Sequence, residues 1–291
     1  MTYRKYFITY GDHNYSIQRK RISFQAKQFK IFDKVIPYKF KSIDKSFISR
    51  YKNVFKYKTG GGYWLWKIYI ILETFKLMNE GDILIYVDAG SSLNLSAKNR
   101  LLDYFEILNK SNKDLLFFEL SLVEKNWTTN EVFKYFNVEQ NNKIINSNQY
   151  MGGVLLAKKN DRSIKFFNEI LLAVDTDYKL ITDYYSSNQT EYFKACRHDQ
   201  SLMSVLAKKN DCLSLKDETF FYLNPEIQFS YPILTVRDGR YTLWQKIKYY
   251  SLYPINIRKV IYWQQEPYYF KNKYTNYLKV SNKLKKMFNK F

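Results

Sequence analysis

The chain has 291 residues; 46% of them are hydrophobic and 19% aromatic, enough for a large buried core, which excludes global disorder. Its formal net charge is +20, a surface that attracts nucleic acid, anionic lipid or acidic glycans, and charge alone does not separate these. The cysteines are two, Cys196 and Cys212, which excludes a disulfide framework.

Residues 3–10 are a β-rich run ending at Gly11, and 15–29 read as a helix with Ile22, Ala26 and Phe29 at helical spacing. Residues 31–37 form a short second strand. After a polar stretch, Thr59 and the triplet Gly60-Gly61-Gly62 punctuate the chain before a strong helix over 63–78, which Gly81 closes. Residues 83–87 are almost wholly apolar, the signature of a strand buried on both faces, and the turn Asp88-Ala89-Gly90 follows at once. A helix over 96–110, a strand over 115–119 and a buried strand over 151–157, entered through Gly152-Gly153, come next. Helices over 162–174 and 199–208 complete the pattern.

This alternation predicts an α/β fold, a mixed and mostly parallel sheet with helices on both faces. Ligands of such sheets bind at the carboxyl ends of strands, where strand order reverses. That directs attention to Gly11, Asp88 and the approach to Met151. Residues 1–236 are expected to form this domain and 237–291 a basic aromatic extension, mainly helical. The extension carries 13 Lys and Arg against two acids, more than half of the excess charge of the chain. Within it, residues 274–291 put Tyr277, Val280, Leu284, Met287, Phe288 and Phe291 near one helical stripe, flanked by Lys279, Lys283, Lys286 and Lys290. Such a stripe suits an anionic membrane surface, and equally a helix packed onto the domain with its lysines in water. The chain starts in a strand-like run without a signal-peptide pattern, and no stretch approaches the ~18 apolar residues of a spanning helix. The expected location is therefore the cytoplasm, or the inner face of a membrane, where the sequons at Asn14, Asn94, Asn126 and Asn188 carry no meaning.

Three places carry chemistry. Asp88, at the end of a buried strand, offers carboxylate oxygen to a divalent cation or caps a turn, and the small Ala89 and Gly90 admit a bulky ligand. Arg197-His198-Asp199-Gln200 gathers polar arms where a helix begins, with free N–H groups and a favourable dipole; Asp199 also fits a plain N-cap. Gly60 through Lys67 sets glycines before a helix with a lysine behind them, without the spacing of a Walker loop. Trp64 and Trp66 read as core and pocket wall. No zinc or serine-hydrolase motif is present, nor any recognisable nucleic-acid-binding motif, so no nucleic-acid partner is expected.

The order of these motifs resembles the GT-A-type glycosyltransferases of bacterial capsule and lipopolysaccharide gene sets and of large viruses. The resemblance covers about residues 3–240. It rests on Tyr6-Phe-Ile-Thr-Tyr-Gly11, Arg21-Ile22-x-x-Gln25-Ala26, Gly62-Tyr-Trp-Leu-Trp-Lys67, Gly81-Asp-Ile-Leu-Ile-Tyr-x-Asp88-Ala-Gly90 and Arg197-His-Asp-Gln-Ser201. More distantly the chain is similar to glycosyltransferase family eight, with Asp88-Ala89-Gly90 in place of Asp-x-Asp and Asp199-Gln200 matching its Asp-Gln motif. The resemblance implies a Rossmann-like fold, a nucleotide-sugar donor and a glycan or lipid-linked acceptor. Thr9, Tyr10 and Gly11 would line the base and ribose. Arg21 and Lys67 would lie near the diphosphate, with Arg197 and His198 also on the donor. Asp88 would contact ribose or a Mn²⁺ or Mg²⁺ ion, and Gly152, Gly153, Asp199 and Gln200 would surround sugar and acceptor.

Two departures bear on this. Gly90 replaces the second carboxylate of Asp-x-Asp, and no histidine follows His198 to serve as the late metal ligand, so Arg and Lys are the alternative neutralisers of the leaving diphosphate. Asp199 would be the base of an inverting transfer; in a retaining one the departing diphosphate assists the acceptor and Gln200 orients the sugar. Both remain open from the sequence, as does a non-catalytic descendant that only binds nucleotide or glycan.

Overall fold

The computed structural model describes residues 3–219 and 230–235. The basic stretch 237–291, with its expected tail helix, lies outside the described residues, so the expected boundary at 236 is not seen.

In chain order the first half holds β1 (Lys5–Tyr10), α1 (Ser16–Gln28), β2 (Lys34–Tyr38), α2 (Lys45–Arg50), α3 (Lys52–Phe55), the short turn α4 (Gly60–Tyr63), α5 (Trp66–Phe75), β3 (Ile83–Val87), β4 (Ser92–Leu93) and α6 (Lys98–Lys110). The second half holds β5 (Leu115–Val123), α7 (Glu124–Trp127), α8 (Asn130–Tyr135), α9 (Asn142–Ile145), β6 (Asn148–Tyr150), β7 (Val154–Lys158), α10 (Asp161–Thr176), α11 (Asp199–Lys209), β8 (Leu213–Lys216) and β9 (Ile233–Leu234).

Seven strands form one mixed sheet in which β2, β1, β3, β7 and β5 lie side by side, and β5 also pairs with β6 and β8. β1, β2, β3, β5 and β8 run one way, and β6 and β7 run against them. β6 and β7 both pair antiparallel with β5, so they are two halves of one line interrupted at Met151-Gly152-Gly153. That interruption faces the carboxyl end of β3, because β7 enters the sheet antiparallel to it with Val154 opposite Val87.

The period-two alternation of the strands builds two cores. Tyr6, Ile8, Leu84, Tyr86, Leu155 and Ala157 point to one face, against Ile68 and Ile71 of α5, Phe167 and Ile170 of α10, and Leu202 and Val205 of α11. Phe7, Ile83, Ile85, Val87, Val154 and Leu156 point to the other, against Ile22 and Ala26 of α1 and Leu101, Phe105 and Leu108 of α6. β3 is buried along its whole length, as an apolar run covered on both faces must be. α10 starts where Asn160 and Ser163 cap each other, the Asn160 side chain accepting from the Ser163 N–H at 2.9 Å. Among the described residues no helix is long and apolar enough to cross a membrane.

Candidate functional site

The carboxyl ends of β1 and β3 and the break between β6 and β7 meet at one edge of the sheet. Register brings Asp88 onto Gly153, whose carbonyl accepts the Asp88 N–H at 2.8 Å. A Cβ on Gly153 would lie 2.8 Å from Asp88 Oδ2, and one on Gly152 would lie 2.9 Å from Gln200 Cβ. The glycine pair therefore lets strand β3 and helix α11 approach the same backbone.

Lys67, at the start of α5, sits beneath this floor with its side chain 2% exposed. Its ammonium donates to Asp199 Oδ2 at 2.5 Å and to the Gly152 carbonyl at 2.7 Å, lies 3.9 Å from Asp88 Oδ1, and rests over the Tyr86 ring. Asp199 is buried with it, whereas the Asp88 side chain is 40% exposed. Burial pushes the Asp199 carboxyl above the usual carboxylate range, against the opposing pull of Lys67. Tyr86 donates its hydroxyl to Asp88 Oδ1, and full burial, followed by the Asp88 charge, drives its own titration far up.

Gln200 bridges outward from the floor. Its Oε1 accepts the Gly152 N–H at 2.9 Å and its Nε2 donates to Gln149 Oε1 at 2.6 Å. The Gln149 amide in turn donates to Glu124 Oε1 at 3.1 Å. Glu124 is wholly buried, accepts from Thr128 and Ser204 at 2.6 and 2.7 Å, and pairs with Lys208. A satisfied polar network thus reaches from the core to the glycine floor.

The opposite wall is aromatic. Residues 60–64 are five consecutive positions with positive φ, including Tyr63 (49°) and Trp64 (60°), so the chain makes one left-handed turn there. The Tyr63 N–H bonds the Thr59 carbonyl at 2.7 Å across that turn. The turn sets Tyr63 and Trp64 against the His198 ring, with centroids 4.9 and 5.4 Å away. His198 itself has φ 56°, and its Nε2 meets Asp183 Oδ1 at 2.8 Å.

Of the remaining residues singled out by sequence, Thr9 is buried and its hydroxyl has no hydrogen-bond partner. Tyr10 stacks on Trp66 at 3.7 Å, and both are buried in the core. Gly11 admits no side chain, because a Cβ would meet the Tyr15 carbonyl at 2.8 Å. Arg21 reaches the same loop as Asp88: it donates to the carbonyls of Ala89 and Ser91 at 3.3 and 2.7 Å and braces the Asp88-Ala89-Gly90 turn. Gln25 holds the next residues through Ser92 Oγ and the Leu93 N–H. Arg197 lies over the Trp127 ring at 4.1 Å. Asp199 is the first residue of α11, and His198, not Asp199, occupies the N-cap position. Asp183, Gln149 and Glu124 had no sequence signal, since each is an isolated polar residue in a pattern-free stretch.

The resemblance implies a divalent ion. Among the described residues no group of three or more His, Cys, Asp or Glu side chains comes together to hold one. Asp88 is the half-exposed carboxylate of the site, yet its Oδ1 takes the Tyr86 hydroxyl and stands 3.9 Å from the Lys67 ammonium. One carboxylate falls short of the oxygen set a dication takes from protein alone, so this donor set does not fit a resident ion. A separate cleft of about 380 Å³, lined by Lys113, Asp114, Arg162 and Glu169, opens at the other end of the sheet, where β5 begins. Asp114 and Arg162 pair across it, and it touches none of the residues above.

No family model and no curated protein matches the chain. Among solved structures it is similar to a glycosyltransferase involved in the glycosylation of the major capsid of PBCV-1 (9% identity, 80% of this chain and 92% of that one, TM-score 0.45). It is also similar to mouse xyloside xylosyltransferase 1 (10%, 86% and 91%, TM-score 0.43) and to the bifunctional glycosyltransferase WbbM (13%, 76% and 40%, TM-score 0.44).

Proposed function

We propose that this protein is a glycosyltransferase of GT-A type, moving a sugar from a nucleotide-sugar donor to a glycan or lipid-linked acceptor. The observation that carries the reading is the convergence of Asp88, Gly152-Gly153 and Asp199-Gln200 at the carboxyl edge of β1 and β3. These residues lie far apart along the chain and meet at the carboxyl ends of strands, the place where ligands of α/β sheets bind, which supports the reading.

In this reading Thr9, Tyr10 and Gly11 take the nucleoside side and Asp88 accepts hydroxyls of the donor. The side-chain-free backbone of Gly153 lets the sugar come close. Gln200, pinned through Gln149, orients the sugar or acceptor. Asp199 acts through Lys67: a general base must reach the proton it removes, and this carboxylate is buried and ion-paired. It fixes the ammonium under the floor, where the positive charge stabilises the developing diphosphate together with Arg197. No metal is assigned a step. The basic stretch 237–291 would bring the cleft to an anionic membrane face, where lipid-linked acceptors reside; liposome flotation of the full chain and of a chain ending at 236 tests that part, and equal partitioning removes it.

The central test is a thermal-shift screen against UDP-, GDP-, CMP- and dTDP-sugars, with and without Mn²⁺. A ligand that binds the folded state alone raises its melting temperature by mass action. We expect a selective shift that does not need Mn²⁺. A shift seen only with Mn²⁺ would reinstate the ion at Asp88, and no shift with any donor would remove the nucleotide-sugar reading. Donor binding without slow donor hydrolysis would identify a non-catalytic relative of the fold.

A further inference from the structure

The aromatic wall does not end at His198. Ring contacts run from Trp64 to His198 (5.4 Å between centroids), on to Tyr63 (4.9 Å), then to Tyr57 (5.4 Å) and finally to Tyr184 (5.4 Å). One end of this line is Trp64, whose ring neighbour His198 directly precedes Asp199 in the chain. The other end is Tyr184, 55% exposed. Trp64 and Tyr57 are half-buried, and Tyr63 is covered and backs the others. Asp183 ties the middle, its Oδ1 on His198 Nε2 at 2.8 Å and its Oδ2 accepting the Tyr63 hydroxyl at 3.2 Å.

The line is maintained against a conformational cost. Tyr63 and Trp64 occupy left-handed backbone, and His198 has positive φ as well. For residues with a side chain each such position costs about 1–2 kcal/mol. The segment 182–198 contributes Asp183, Tyr184 and His198 without any helix or strand, a length uncommon for a loop with no function. It is nonetheless tied down: Glu131 accepts from the Ser186 N–H and the Gln189 amide at 2.9 and 2.8 Å, and the Asn126 carbonyl accepts the Lys194 N–H at 2.8 Å. Strain that the surroundings hold in place, beside a cleft, points to use of the residues it displays.

We infer that this line is the acceptor subsite, taking an extended saccharide laid along the rings with its growing end at Asp88 and Gln200; the inference rests on the glycosyltransferase reading. A saccharide presents apolar C–H faces and hydroxyl edges by turns. Tyr57, Tyr184 and Trp64 offer ring faces for the first, while the tyrosine hydroxyls and Asp183 offer hydrogen bonds for the second. His198, within the line, is the chain neighbour of Asp199, so a saccharide lying along the rings would run toward Asp88 and Gln200. An acceptor of several sugar units fills it, and a single sugar does not.

The test uses the full chain on an array of linear saccharides from mono- to hexasaccharide, alongside the variant Tyr57→Ala/Tyr184→Ala. Both substituted rings lie outside the cleft floor. Wild type is expected to bind longer saccharides at least tenfold more tightly than the matching monosaccharide. The variant is expected to lose that length-dependent gain while its donor-induced thermal shift stays unchanged. Capture of no saccharide, equal affinity at all lengths, or a variant with the wild-type length dependence would each overturn the inference. The two ideas fail separately. A normal donor shift without length dependence removes the subsite and leaves the transferase reading. Length-dependent saccharide binding without any donor shift leaves the aromatic line as a glycan site and removes the transferase reading.

Discussion

Replacing Lys67 by Met tests the charge balance under the floor. The substitution keeps most of the buried volume, but it leaves Asp199 without the ammonium that stands 2.5 Å away and frees the Gly152 carbonyl. Breaking a buried ion pair from one side costs about 3–5 kcal/mol, because the remaining charge is uncompensated. For a domain of this size that lowers the melting temperature by on the order of 10 °C. The pH dependence has a definite sign. Asp199 already titrates above the usual range through burial, and loss of Lys67 raises it further. The folded state then holds a proton that the unfolded state has released, so stability falls as pH rises through that window. Urea denaturation at about pH 5 and about pH 8 should therefore show the larger deficit at the higher pH. Adding Asp199→Asn removes the stranded charge and should restore roughly half of the loss. A single variant within about 1 kcal/mol of wild type, or a double variant less stable than the single, would refute the buried-pair account.

Glu124→Gln should cost about 3–5 kcal/mol near neutral pH by stranding the buried Lys208 charge. Burial depresses the Lys208 titration, so the folded state sheds its proton first and the deficit should shrink toward alkaline pH, opposite to Lys67→Met; parallel pH trends in urea melts would contradict this. Gly153→Ala should leave the melting temperature within roughly 4 °C of wild type, because the half-exposed Asp88 carboxylate can swing away, yet abolish the donor-induced shift; a retained shift would detach Gly153 from the site. Gly62→Ala should cost roughly 1–3 kcal/mol, since φ is 97° and the new Cβ would lie 2.7 Å from Phe55 Cδ1 and 3.3 Å from its Cα; a wild-type melting temperature would rule out the left-handed turn.

The parts of the fold that the sequence made legible are those where one periodicity dominates. Ile83–Val87 is apolar at every position because both of its faces are covered, and the structure returns the strand with those limits. α6 is amphipathic against one core, while α1 buries Gln18, Ser23 and Gln25 beside Ile17, Ile22 and Ala26; the expected spans of both agree with the observed ones to within two residues at each end. The helix expected over 63–78 fails at its start, because the left-handed turn runs through Trp64 and α5 begins only at Trp66. A run of three glycines signals freedom of backbone but not that two aromatic residues follow them into left-handed space. β6 and β8 were missed because each is short, three and four residues, and takes its place through partners rather than pattern. Of the residues that meet at the candidate site, Asp88, Lys67, Gly152, Asp199 and Gln200 stand out in the sequence because each sits at the edge of a strong element. Asp183 and Glu124 do not, since their meaning comes from His198 and Lys208, which are distant in sequence or far along a loop.

The two walls of the cleft differ in kind, and the difference bears on how the site would work. The floor is built from strand ends, a glycine break and an ion pair whose partners are both nearly inaccessible, so opening it requires disrupting the core. The aromatic wall is built from a left-handed turn and a loop fixed by exposed or half-exposed hydrogen bonds to α8. Such elements open locally at far lower free energy than core strands. Donor contacts on the floor would then be preorganised, while the acceptor side can part to admit a long chain and close behind it. Hydrogen exchange separates the two directly. Amides of residues 83–87 should exchange only on global unfolding, and those of 184–194 many orders faster, with slowing in the latter when a bound saccharide spans Tyr57 and Tyr184. Equal protection of both segments in the free protein would remove the distinction, and with it the argument that the acceptor enters by local opening of the aromatic wall.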